Sequence, residues 1–132
     1  MQDFCRGKSN QLVVFLDSTG KSFSLQAHSL PSARGMGEPL SGRISADSGV
    51  SFISCVSGND GDDKFMIMNT AGYGFISEFK NMTSNKKTGR AFMKLPDNAR
   101  LLKAIPIRKD HTHIAAVSSI GKLLIFRIDE LP

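Results

Sequence analysis

Short apolar runs alternate along the chain with clusters of Gly, Asn, Asp, Ser and Pro. Several runs place an apolar residue at every second position, as at 124, 126 and 128, and Val, Ile and Phe are frequent in them. Period-two apolarity, β-branched residues and polar boundaries are typical of half-buried strands. The pattern predicts little helix. It predicts strands at residues 11–16, 21–25, 50–56, 64–68, 73–79, 90–95, 100–107, 113–117 and 122–128.

A glycine-containing turn recurs three times between predicted strands. Gly20, Gly72 and Gly121 lie 52 and 49 residues apart, and each is followed by an apolar residue three positions later and another ten positions later. Hairpin turns need a residue with positive φ, which glycine adopts without a Cβ clash. We therefore predict three equivalent hairpin turns, at residues 17–20, 69–72 and 118–121.

The repeat length predicts the architecture. About four strands per roughly 50 residues is the size of one blade in a propeller-like repeat protein. We expect residues 1–132 to form a single all-β repeat domain, with blade-like repeats at 11–63 and 64–110 and an incomplete third at 111–132. A closed ring needs more blades than these, so we expect the chain to be part of a longer polypeptide or of a partial ring.

The net charge of +5 is unevenly distributed. Residues 1–63 contain 5 basic and 7 acidic side chains, whereas residues 64–132 contain 12 basic and 5 acidic ones. Nine of the basic side chains fall within 80–109, where Asp97 is the one acidic residue. A one-sided basic field suits a polyanion. The alternative is a solvated loop with surplus lysine.

Two glycine-rich basic loops occupy equivalent places in the first two repeats, at residues 30–43 and 82–90. Glycine lets backbone N–H groups approach a phosphate closely, and Arg and Lys supply charge and hydrogen bonds. We expect the loops to form a basic track along one rim, although each alone could be a flexible connection. The leading phosphate-contact candidates are Arg34, Arg43, Lys86, Lys87 and Arg90. The second-tier candidates are Lys80, Lys94, Arg100 and Lys103.

Motifs for catalysis and metal binding are weak in this sequence. His111 and His113 alternate without a third ligand, which favours an exposed pair over a metal site. The polar run at 59–63 lacks the terminal bidentate glutamate of a calcium loop, so a turn is the better interpretation. No nucleophile has the sequence context of a catalytic triad. We therefore expect a non-enzymatic chain with no metal and no cofactor of its own.

The chain also lacks features of a membrane or secreted protein. Its longest apolar runs, such as 123–126, are far shorter than the roughly 20 residues of a membrane-spanning helix, and the N-terminus does not have the pattern of a signal peptide. Cys5 and Cys55 lie in unlike settings, which favours two free thiols in a reducing cytosol. We expect a cytoplasmic protein that does not contact a membrane.

Segments 12–20, 30–42 and 71–75 resemble the C-terminal domain of the bacterial topoisomerase IV A subunit. The resemblance runs through essentially the whole chain and includes the loop sequence Leu-Pro-Ser-Ala-Arg-Gly-Met-Gly-Glu-Pro-Leu-Ser-Gly at 30–42. It implies a β-pinwheel, a propeller-like array of four-stranded Greek-key blades, here about two and a half of them. It further implies that duplex DNA is bound and bent on a basic outer rim.

The resemblance also implies a non-catalytic role. Such a domain aids strand passage, decatenation and supercoil relaxation by a type IIA topoisomerase whose ATP and Mg²⁺ bind elsewhere. Its partners would be duplex DNA, the rest of the A subunit, and the ATPase B subunit, in the bacterial nucleoid. Tyr73 lies in a predicted hairpin and does not match the active-site tyrosine of that family.

One departure within this group of proteins is informative. The wrapping motif of the related gyrase A domain, Gln-Arg-Arg-Gly-Gly-Lys-Gly, is absent from this sequence. Its absence favours topoisomerase IV over gyrase, and weaker bending over full wrapping. The alternative function is a propeller-like interaction module whose basic strip binds an acidic protein, and the acidic bias of residues 1–63 gives it some support.

Overall fold

The computed structural model describes residues 2–59 and 62–132. Within these ranges the strands are β1 (Leu12–Asp17), β2 (Lys21–Gln26), β3 (Phe52–Ser57), β4 (Lys64–Met68), β5 (Gly74–Glu78), β6 (Arg90–Ala91), β7 (Ile105–Ile107), β8 (His113–Val117) and β9 (Leu123–Arg127). Helical structure is limited there to α1 (Phe79–Met82) and 3₁₀ turns at Ala27–Ser29, Leu40–Gly42 and Ile128–Glu130. The prediction of an all-β chain with little helix is confirmed. None of the helices in the described ranges is long and apolar enough to cross a membrane.

The described strands form three antiparallel sheets. The first has the order β3-β1-β2-β6, the second has the order β5-β4-β7, and the third is the hairpin β8-β9. Strand β6 belongs by sequence to the second predicted repeat, yet it pairs with β2 of the first. Sheets and sequence repeats are therefore not coextensive, and the repeat bounds 11–63, 64–110 and 111–132 stay predictions.

Each predicted strand overlaps an observed one, but two of them are much shorter than the pattern indicates. The segment 90–95 contributes only β6 because the N–H groups of Phe92 and Met93 both donate to the Gly20 carbonyl. These bonds fold the segment over the first hairpin turn instead of extending a ladder. The segment 100–107 is strand only at β7, with an isolated bridge between Leu101 and Asn69 before it.

The core is built from the first two sheets and α1. Val14 and Leu16 lie on one face of β1, since alternate residues of a strand point the same way. Phe79 and Met82 are three residues apart on α1, which places them on one helical face. The buried cluster consists of Val14, Leu16, Val56, Phe65, Ile67, Phe79, Met82 and Leu101.

The third hairpin pairs regularly, from His113 opposite Arg127 to Val117 opposite Leu123, yet it contributes little to this core. Leu124 occupies the same repeat position as Phe23, three residues after the turn glycine. Phe23 is fully buried, whereas 61% of Leu124 is exposed. The repeat pattern therefore specifies the hairpin, and burial depends on what packs against it.

Candidate nucleic-acid interface

The three hairpin turns share one local geometry. Asp17 Oδ1 accepts hydrogen bonds from the N–H groups two and four residues ahead, at 2.9 and 3.0 Å. Asn69 Oδ1 accepts the same two bonds at 2.9 and 3.2 Å, and Ser118 Oγ accepts the second of them at 3.0 Å. The fourth residue of each turn is a glycine with φ between +82° and +89°. The predicted equivalence of these turns is confirmed.

The second basic loop, predicted at 82–90, is residues 83–89 in the structure, because Met82 ends α1 and Arg90 begins β6. It is docked onto the first sheet. The Ser84 N–H donates to the Ser24 hydroxyl on β2 at 2.9 Å. The Lys87 carbonyl accepts a hydrogen bond from the Ser45 N–H at 2.8 Å. The second basic loop therefore contacts the segment that directly follows the first basic loop.

Gly89 closes the loop tightly against the core. Its φ is +77°, and a Cβ at this position would lie 2.6 Å from the ring of the fully buried Phe23. Only glycine combines this backbone angle with such a close approach. The loop is thus wedged against an aromatic core residue, and its backbone has little freedom to move.

Three of the leading candidates lie on this loop or at its end. Lys86, Lys87 and Arg90 are exposed. The Arg90 Nη1 donates to the Asn81 carbonyl at 3.1 Å, and its backbone lies opposite Ser22 in the β2–β6 pair. The structure therefore presents three cations from a backbone anchored on both sides. Their role as phosphate contacts stays a prediction.

The first basic loop is organised differently. Arg43 Nε and Nη2 each lie 2.9 Å from Glu38 Oε2, and Nη1 donates to the Ser29 carbonyl. Arg43 therefore closes its own loop, and part of its charge is balanced by Glu38. Arg34 lies on the exposed stretch of the same loop. Of these two candidates, Arg34 is the more accessible to a ligand.

The second-tier candidates are spread over the molecule. Lys80 forms an ion pair with Glu78 at 2.7 Å, which lowers the pKa of Glu78, and it stands next to Asn81, the residue that holds Arg90. The other three lie apart from this group. Lys94 is exposed within the segment that covers the first hairpin turn, the Arg100 backbone is hydrogen-bonded to Thr70 at the second turn, and Lys103 Nζ lies 3.9 Å from Asp3 Oδ1.

Sequence reasoning missed one cation beside the second loop. Lys21, the first residue of β2, lies opposite Ala91, the neighbour of Arg90. Its Nζ is 2.7 Å from Asp47 Oδ2, and this hydrogen bond raises the pKa of Lys21. In the sequence Lys21 stands out only because it directly follows the turn glycine Gly20. The β2–β6 pairing is what brings Lys21 next to the second basic loop.

The histidine pair has ordinary polar partners. His111 Nδ1 accepts a hydrogen bond from the Arg108 N–H at 3.1 Å, and His113 Nδ1 is 2.8 Å from the Thr112 hydroxyl. Among residues 2–59 and 62–132, no group of three or more His, Cys, Asp or Glu side chains is placed to hold a metal ion. The polar run 59–63 contains residues 60 and 61, so its interpretation as a turn lies outside the described residues.

The chain is similar to curated proteins described as the A subunit of DNA topoisomerase 4. It is 46% identical over 127 residues to the protein from Pseudomonas aeruginosa and 37% identical over 127 residues to that from Escherichia coli. In both comparisons 96% of this chain is matched, but it spans only 17% of the relative. A scan against protein-family profiles gives no match.

Solved structures show the same relationship. The E. coli ParC C-terminal domain superposes with a TM-score of 0.88 at 37% identity, over 96% of this chain and 51% of that one. The DNA gyrase A C-terminal domain superposes with a TM-score of 0.69 at 17% identity, over 97% of this chain and 41% of that one, and this likeness concerns the fold alone. The resemblance to the C-terminal part of the topoisomerase IV A subunit is confirmed, as is the β-pinwheel fold.

Proposed function

We propose that this chain is a non-catalytic DNA-binding domain of a type IIA topoisomerase, the topoisomerase IV A subunit, and that it binds and bends duplex DNA on a basic outer rim. Its relationship to the C-terminal part of that subunit supports a DNA-binding topoisomerase domain. The observation that carries the proposed rim is the anchored loop with Lys86, Lys87 and Arg90 exposed on it.

The proposed chemistry is charge neutralisation on a preordered surface. Each phosphate that a Lys or Arg neutralises releases counterions, so affinity falls steeply with salt. A backbone already fixed by Gly89 and Ser84 loses little conformational entropy when DNA binds. Among the described residues the longest helix has four residues, too short to serve as a recognition helix in the major groove. Binding should therefore tolerate many sequences.

The structure changes the rank of the candidates. Lys86, Lys87 and Arg90 lead in this proposal, and Arg34 is the exposed candidate on the first basic loop. Lys80 and Lys21 lie on elements beside the leading three, but Glu78 and Asp47 balance part of their charge. Arg43 is already bound to Glu38 and the Ser29 carbonyl, so its main role in this proposal is to hold the first loop in shape. Lys94, Arg100 and Lys103 would extend the contact only if DNA bends around the domain.

In the parent enzyme this domain would help select and orient a duplex for strand passage, decatenation and supercoil relaxation. The DNA-cleaving site, ATP and Mg²⁺ would be supplied by the rest of the A subunit together with the ATPase B subunit. The domain would then act on DNA in the bacterial cytoplasm. These functions belong to the whole enzyme, since this chain corresponds to only about a sixth of the related A subunits by length.

The first test is a salt titration of binding to a fluorescent duplex. The variant Lys86→Ala/Lys87→Ala/Arg90→Ala should bind more weakly, and its log–log salt slope should be shallower by about 0.9 for each phosphate that is no longer neutralised. The matched control is Lys8→Ala/Lys109→Ala/Lys122→Ala, which removes the same charge from exposed positions outside the loop. That control should keep most of the wild-type affinity and slope.

Equal losses of affinity in the two triple variants would mean that net charge, and not this loop, determines binding. Competition separates the proposal from the interaction-module alternative. If the rim is shaped for DNA, unlabelled duplex should displace a labelled duplex at a lower concentration than heparin of equal total charge does. Heparin that competes as well as duplex DNA would instead favour a general polyanion or acidic-protein site.

A further inference from the structure

The two cysteines, fifty residues apart in the sequence, meet at the edge of the first sheet. The N-terminal segment before β1 runs beside β3 and contacts it at two points. Asp3 Oδ2 accepts a hydrogen bond from the Cys55 N–H at 3.1 Å. Further along, Gly7 approaches Ser57 so closely that a Cβ on the glycine would lie 2.5 Å from the Ser57 hydroxyl. Cys5 lies between these points, against Cys55.

The Asp3 anchor is itself well supported. Ser54, which is buried, donates its hydroxyl to Asp3 Oδ2 at 3.0 Å and accepts a hydrogen bond from the Ala104 N–H at 3.2 Å. Burial raises the pKa of Asp3, but the hydrogen bonds from Cys55 and Ser54 and the charge of Lys103 outweigh it and hold that pKa below its ordinary value. Asp3 is therefore ionised at neutral pH, and its bonds fix the N-terminal segment beside β3.

The thiols of Cys5 and Cys55 are both free and both half-buried. They lie side by side on the wall of one cavity. A Cys5 thiolate would accept a hydrogen bond from the Cys55 thiol, which lowers the pKa of Cys5 and raises the pKa of Cys55. The cavity is open to the surface, so a small molecule can reach both side chains. The charged residues of its lining are of both signs: Arg6, Lys64, Arg108 and Lys109, and Asp3, Asp62 and Asp63.

We propose that Cys5 and Cys55 form a reversible redox site that reacts with a low-molecular-weight disulfide such as glutathione disulfide. The Cys5 thiolate attacks one sulfur of that disulfide, forms a mixed disulfide and releases one glutathione thiolate. The Cys55 thiol then loses its proton and attacks the Cys5 sulfur, and the second glutathione thiolate leaves. The released thiolates take up the two protons. Two protein thiols are oxidised to one disulfide, and one glutathione disulfide is reduced to two thiols.

The product would tie the N-terminal segment covalently to β3, an edge strand of the first sheet. In a reducing cytosol the pair would stay as two thiols, and a more oxidising glutathione potential would convert it to the disulfide. This inference is independent of the proposed DNA-binding function, because the reaction requires none of the residues that lead the rim.

The test equilibrates the folded chain in glutathione buffers of increasing disulfide content at neutral pH and then traps free thiols with N-ethylmaleimide. We expect wild type to lose both alkylatable thiols in one transition, with a mass decrease of two hydrogens and no glutathione adduct. A peptide map should contain the Cys5–Cys55 cross-link. Dithiothreitol should restore both thiols.

Two controls sharpen the result. Cys5→Ser and Cys55→Ser each retain one thiol, so each should accumulate a stable glutathione adduct that wild type resolves. Wild type unfolded in urea loses the juxtaposition and should form more mixed disulfide and less internal cross-link than the folded chain. The proposal is overturned if folded wild type keeps both thiols reduced, ends with a glutathione on each cysteine, or forms only disulfides between chains.

Discussion

Asp17 and Asn69 perform the same task with different chemistry. Both side chains are buried, and each uses one oxygen to accept the N–H groups of its hairpin turn. The second polar atom of each, Asp17 Oδ2 and Asn69 Nδ2, is buried without a hydrogen-bond partner in the described structure. The turn therefore needs an acceptor oxygen at this position, and the negative charge of Asp17 is not required for it.

The comparison of Asp17 with Asn69 predicts which of two substitutions at Asp17 destabilises the chain more. Asp17→Ala removes the acceptor of three hydrogen bonds, from the Thr19 N–H, the Thr19 hydroxyl and the Lys21 N–H, and should lower the free energy of unfolding by about 1–3 kcal/mol or more. Asp17→Asn keeps an acceptor and should cost clearly less. Urea denaturation followed by circular dichroism measures both. A loss from Asp17→Asn as large as that from Asp17→Ala would show that the charge matters, through Lys21.

At the scale of the element, the first and second hairpin turns have the same backbone conformation but are packed differently. Gly20 and Gly72 have φ values of +88° and +89°. A Cβ on Gly20 would collide with the backbone carbonyl of Met93, because the 92–95 segment folds over the first turn. A Cβ on Gly72 would meet no atom within 4 Å. Gly72 is required by backbone conformation alone, and Gly20 by conformation and packing together.

The two alanine variants should therefore differ in stability. Gly72→Ala should cost about 1–2 kcal/mol, which is the strain of a left-handed non-glycine residue. Gly20→Ala should cost more, because the added methyl group displaces the segment that leads out of β6, and unfolding in urea gives the difference directly. If the two variants unfold at the same denaturant concentration, the contact between the first turn and Met93 does not stabilise the chain.

At the scale of the whole molecule, ion pairs balance part of the charge. Glu38 pairs with Arg43, Asp47 with Lys21, and Asp3 lies near Lys103. Such exposed pairs contribute little to stability. They do, however, engage three acidic side chains of the first half of the chain with cations other than Lys86, Lys87 and Arg90.

Stability is also unevenly distributed. The buried cluster draws on β1, β3, β4 and α1, whereas the β8–β9 hairpin exposes Val117, Ile120, Leu123, Leu124 and Ile125. Local opening is easiest where few apolar contacts are buried. Amide hydrogen exchange of this chain should therefore be slowest in β1 and β4 and at least about tenfold faster in β8 and β9. Equal protection across the three sheets would mean that the third hairpin is covered in solution, for example by a second copy of the chain.

Local patterns in the sequence were sufficient to predict the strands, the hairpin turns and the fold family. Alternating apolar residues located every strand, and three spaced glycines located three hairpin turns, because strand faces and positive φ angles are set by neighbouring residues. Loop sequence at 30–42 and near Gly72 was specific enough to indicate the β-pinwheel relationship that the relatives and solved structures confirm. The same patterns could not rank the basic residues, since Arg43 and Arg90 look alike until their partners are known.

The tertiary structure decided which residues are neighbours. Only folding shows that β6 crosses to the first sheet, that Gly89 wedges the 83–89 loop against Phe23, that Arg43 is occupied by Glu38, and that Cys5 reaches Cys55. It also decided that Leu124 stays exposed where the equivalent Phe23 is buried. Backbone conformation and strand alternation depend on residues close in sequence, so the chain specifies them by itself. Burial, ion pairing and thiol proximity depend on distant segments, and these meet only in the folded molecule.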